Sequence, residues 1–70
     1  MITSESVDLM NRYSLTVRPA LARGYWDVEY SRAGKWAVAQ AKDANEAILG
    51  CVMMIRQRRL DMDGYAAGAD

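Results

Sequence analysis

The chain has 70 residues, a formal net charge of zero from nine Lys+Arg and nine Asp+Glu, one cysteine and no histidine. That length supports one domain near the lower limit for a self-sufficient core, and the balanced charge provides no broad electrostatic footprint for nucleic acid or an anionic membrane. Without histidine, and with Cys51 alone, the chain cannot assemble the usual zinc ligand sets, an internal disulfide or a Ser-His or Cys-His nucleophile, so no enzyme, metal or cofactor is expected.

The N-terminus is too polar for a signal peptide, and no apolar run approaches the roughly 18 residues of a membrane span. A reducing intracellular compartment follows as the expectation. Residues 1–12 carry Thr3, Ser4 and Ser6 as candidate caps, then Val7 and Met10 three apart with Leu9 and Tyr13 nearby, which predicts a short helix. Tyr13, Leu15 and Val17 alternate with Ser14, Thr16 and Arg18, the period of a half-buried strand, and Pro19 ends it. Pro19 to Gly24 is a connection. Tyr25 to Ser31 alternates again, with Trp26, Val28 and Tyr30 on one side and Asp27 and Glu29 on the other.

Arg32-Ala33-Gly34 followed by Lys35 to Ala41 predicts a hairpin with two candidate registers. A two-residue loop at Ala33-Gly34 puts Trp36 and Val38 on the side of Asp27 and Glu29. A three-residue loop with Gly34 left-handed pairs Tyr30 with Trp36 and Val28 with Val38, which collects every large side chain on one face. The second register is the expectation, with Ala37, Ala39 and Ala41 beside Asp27 and Glu29 on the open face.

Asp43 with Glu46 three residues later reads as an N-cap and capping box, so a long helix is expected to run towards Leu60. Ala44, Ala47, Ile48, Cys51, Val52 and Ile55 form its inward stripe, which makes Cys51 a small core residue rather than a nucleophile. Arg56, Arg58 and Arg59 complement the negative end of the helix dipole. Leu49, Met53 and Leu60 form a second apolar strip nearly opposite the first. Each large apolar side chain left in water forgoes about 1.5–3 kcal/mol. Leu49, Met53, Arg56 and Leu60 are therefore the candidate partner-binding residues, for another protein or for a second copy of the chain. Asp27 and Glu29 share a strand face and could act as an acid/base pair only inside a cleft, so a solvated strand face is the expectation.

The fold class is thus α+β: a three-stranded antiparallel sheet with a short N-terminal helix and a long C-terminal helix on one face, in the order α-β-β-β-α. Residues 1–62 are expected to form a single domain, and 63–70, small and without a hydrophobic period, a flexible tail.

Two families share parts of this pattern. The element order over Ser4 to Leu60, with Trp26-Asp27-Val28-Glu29-Tyr30 running into the Gly34 turn, resembles the double-stranded-RNA-binding domain. Where that family carries a phosphate-binding lysine cluster, this chain has Lys42-Asp43-Ala44-Asn45-Glu46, so the resemblance implies the topology while nucleic-acid binding is not expected. Gly24-Tyr25-Trp26-Asp27-Val28-Glu29-Tyr30, the short turn, Lys35-Trp36-Ala37-Val38-Ala39 and the Ala- and Met-rich last helix resemble small phage-encoded anti-CRISPR proteins that inhibit type I surveillance complexes. That resemblance, over roughly residues 15–58, implies a stoichiometric, non-catalytic inhibitor in the host bacterial cytoplasm, held to a CRISPR-Cas effector by surface contacts. The alternatives are a nucleic-acid-binding module using Lys35, Lys42 and the arginines, and a homodimeric structural phage protein.

Overall fold

A computed structural model describes residues 2–60 and places five elements in the order helix, three strands, helix. They are α1 (Ser4–Tyr13), β1 (Thr16–Pro19), β2 (Trp26–Arg32), β3 (Lys35–Ala41) and α2 (Ala44–Arg58). The sheet is antiparallel with strand order β1-β2-β3, so the fold is α+β as the sequence predicts. The tail expected at 63–70 lies outside the described residues.

Asp43 is the N-cap that the sequence predicts for α2, and of the three N-terminal candidates Thr3 caps α1. Thr3 Oγ1 accepts from the Ser6 N–H at 3.1 Å and Asp43 Oδ2 from the Glu46 N–H at 3.2 Å, each occupying a donor that the first helical turn leaves free. Both helices end in the same way. Ser14 (φ +55°) and Arg59 (φ +56°) turn left-handed, and the next N–H reaches back five residues: Leu15 to the Met10 carbonyl and Leu60 to that of Ile55, both at 2.9 Å. This Schellman geometry folds the following apolar residue onto the core. Leu15 is buried there and Leu60 packs against it, with the Leu60 carbonyl accepting from the Tyr30 hydroxyl at 3.2 Å. Tyr13 closes α1 rather than opening β1, which starts at Thr16.

The hairpin register differs from the expectation. β2 and β3 pair Arg32 with Lys35, Ser31 with Trp36, Tyr30 with Ala37, Glu29 with Val38 and Val28 with Ala39. The loop is therefore the two-residue Ala33-Gly34, with φ of +53° and +82°, the signs of a type I′ turn whose twist matches that of the strands. One residue of slip moves every β3 side chain to the other face. Ala37, Ala39 and Ala41 turn towards α2, while Trp36 and Val38 stand on the open face at 62% and 41% exposure. Packing explains the choice. A Cβ built on Gly50 would lie 3.5 Å from the Ala39 Cβ, and Cys51 Sγ lies 3.8 Å from the Ala37 carbonyl oxygen, so α2 sits directly on the small-residue strand. Tryptophan and valine in that row would lift the helix off the sheet. The bulk comes instead from β2: Val28 and Tyr30 are fully covered, with Ala47, Ile48, Cys51, Val52 and Ile55 of α2 closing over them. Trp26 shares their side but lies at the sheet's end, 37% exposed against Pro19 and Ala41.

Candidate functional site

The four residues of the expected contact strip do not share one environment. Leu49 and Met53, one helical turn apart on the outer side of α2, are 51% and 58% exposed. Arg56 is exposed and its Nε donates to the Tyr13 hydroxyl at 3.4 Å. Leu60 is half-buried against the core, because the left-handed turn at Arg59 swings it inward. The outward apolar surface of α2 is thus the Leu49–Met53 pair.

Its surroundings are built by α1. The Thr3 N–H donates to Asn45 Oδ1 at 2.9 Å, and the Arg56–Tyr13 bond joins the two helices at their other ends. Start beside start and end beside end, α1 and α2 run parallel. Between them opens a groove of about 280 Å³ lined by Glu5, Asp8, Leu9, Arg12 and Leu49. Glu5, Asp8, Leu9 and Arg12 follow a three- and four-residue spacing, so one stripe of α1 supplies one wall. Two leucines and side chains of both charge signs line the groove. In the sequence Leu9 counted only towards the helix pattern and Arg12 was not singled out, since a helix period shows which residues share a face but not what lies across from them.

The open sheet face carries Asp27 and Glu29 together, as the alternation requires, and each has a partner. Asp27 Oδ1 accepts from Gln40 Nε2 at 2.8 Å, and Glu29 pairs with Arg18 at 3.1 Å across β1 and β2. Trp36 and Val38 lie beside them, and the side of the sheet on which these two stand follows from the hairpin register. At the strand's end the Lys42 ammonium lies over the Tyr25 ring, 5.8 Å from its centre.

Cys51 is fully buried, and desolvation, with a smaller contribution from the charge of Glu29, raises its pKa from 9.0 to about 11. Such a thiol packs as a small apolar side chain and is not a nucleophile at neutral pH. Among the described residues no cluster of three or more His, Cys, Asp or Glu could hold a metal ion, and no helix is long and apolar enough to cross a membrane. No protein-family model, curated protein or solved structure matches the chain.

Proposed function

We propose that the chain is a non-enzymatic protein-binding inhibitor of phage or mobile-element origin, which blocks a bacterial type I CRISPR-Cas surveillance complex by surface contact. The observation that carries the binding role is the exposed Leu49–Met53 pair beside the groove between α1 and α2. Apolar anchors next to a recess lined in part by Glu5, Asp8 and Arg12 have the anatomy of an interface hot spot: a dehydrated centre with charge beside it that sets orientation. The choice of target rests on the anti-CRISPR resemblance of the β2–β3 hairpin and the last helix.

The test is a nuclease-treated affinity pull-down from bacterial lysate containing a type I complex, with wild-type and Met53→Glu baits. Stoichiometric recovery by wild type and its loss with Met53→Glu is the expected result. Failure of the wild type to retain any such complex would sink the inhibitor reading, and equal retention by both baits would move the contact face off α2.

A further inference from the structure

Among the described residues nothing pairs with the outer edge of β3, and the geometry of that edge is self-complementary. A two-residue turn makes Arg32–Lys35 the closing hydrogen-bonded pair of the hairpin, and antiparallel pairs alternate from there. The backbone groups of Lys35, Ala37, Ala39 and Ala41 therefore point to β2, and those of Trp36, Val38 and Gln40 point away from it. β3 is the last strand of the sheet, and among the described residues none of the loop, turn or cap hydrogen bonds takes these outward groups. Natural edges are blunted by proline, bulges, short length or inward charge. β3 has seven residues, regular pairing and no proline.

We infer that β3 pairs antiparallel with β3 of a second copy, about a two-fold axis through Val38, to form a continuous six-stranded sheet across a homodimer. Val38 is the midpoint of Lys35–Ala41, so this is the register that pairs the whole strand with itself. Its outward residues are hydrogen-bonding partners: Val38 faces Val38 of the second copy, and Trp36 faces Gln40. Lys35 faces Ala41, so no like charges stand directly opposite, and Lys42 is drawn back over Tyr25. The pairing gives exposed Trp36 and Val38 cross-strand neighbours on the open face. On the other face Ala37 and Ala39 lie beneath α2, so pairing at this edge brings the α2 helices of the two copies side by side over the seam. A foreign extended strand could use the same edge. Pairing of the full strand with an apolar-to-apolar centre and no opposed charges favours the second copy. The proposal uses a different surface from Leu49 and Met53 and stands independently of the inhibitor reading.

Sedimentation equilibrium of the full chain, with two cysteine variants under mild oxidation, tests it. Wild type is expected to dimerise reversibly. Val38→Pro removes one outward N–H at the axis while sparing the β2–β3 ladder, and should weaken the dimer by about tenfold or more. Val38→Cys should give a disulfide-linked dimer, whereas Trp36→Cys should not, since in this register the two Trp36 positions are offset by four residues, roughly 13 Å. A wild type that stays monomeric up to about 100 µM would overturn the proposal, since pairing weaker than that has no consequence. Dimerisation abolished by Met53→Glu but untouched by Val38→Pro would place the interface on α2 and also overturn it. If Val38→Pro fails to fold by circular dichroism, the cysteine pair decides: equal cross-linking of Val38→Cys and Trp36→Cys, or none, rejects the register.

Discussion

At the residue scale, the strained positions are the informative ones. Ala33 occupies a left-handed conformation, φ +53°, that costs an L-residue with a Cβ about 1–2 kcal/mol. Asparagine tolerates that region, and Asn-Gly is a favoured pair for a type I′ turn. Ala33→Asn should therefore raise stability by about 0.5–1 kcal/mol in urea unfolding with an unchanged m value. Gly34→Ala should lower it by about 1 kcal/mol through backbone strain alone, because a Cβ at Gly34 meets no other atom within 4 Å. Cys51 makes a second test. Its folded pKa lies above its unfolded value, so the folded state holds the proton more tightly, and that contribution is present below pH 9 and lost as pH rises towards about 11. Stability should fall through that window in wild type and less steeply in Cys51→Ala, measured by denaturant midpoint. A thiol reagent at pH 7 should label Cys51 only in denaturant.

At the element scale, the decisive contact is α2 on β3. Gly50 costs helix stability relative to alanine, and a Cβ there would meet Ala39 at an ordinary van der Waals distance of 3.5 Å. Gly50→Ala should therefore stabilise by about 0.5–1 kcal/mol. Ala39→Leu puts bulk under the same contact and should destabilise by about 1–3 kcal/mol. Opposite signs from two added side chains at one seam would confirm that the helix rests on the small-residue row. Equal signs would contradict it. The caps matter less but measurably: Asp43→Ala removes the acceptor of the Glu46 N–H and should cost about 1 kcal/mol in thermal unfolding.

At the scale of the whole molecule, one small core carries the fold, and the surfaces proposed for partners lie outside it. Ile48 and Ile55 are fully buried, so Ile48→Ala should cost about 2–5 kcal/mol, enough to unfold much of a domain of this size at 25 °C by circular dichroism. Met53→Glu and Leu49→Glu change exposed positions and should leave stability within about 0.5 kcal/mol of wild type. The α2 surface can therefore be altered without loss of the fold, so a binding defect in these two variants reports on the contact itself.

Local chemistry by itself determined the element order, the Asp43 cap, the inward stripe of α2 and the shared face of Asp27 and Glu29. Each depends on residues a few positions apart, whose spacing sets helix caps, helix faces and strand alternation directly. The tertiary structure decided the rest. Whether Trp36 and Val38 were core or surface turned on a one-residue slip at Ala33-Gly34, and both loops were locally allowed. The approach of Gly50 to Ala39 settled it, a contact between residues distant along the chain, because a helix seated on a strand leaves room only for small side chains. Leu60 left the Leu49–Met53 strip for a similar reason. The left-handed turn at Arg59 breaks the helical period that had placed them together, and the core beneath Tyr30 receives the side chain.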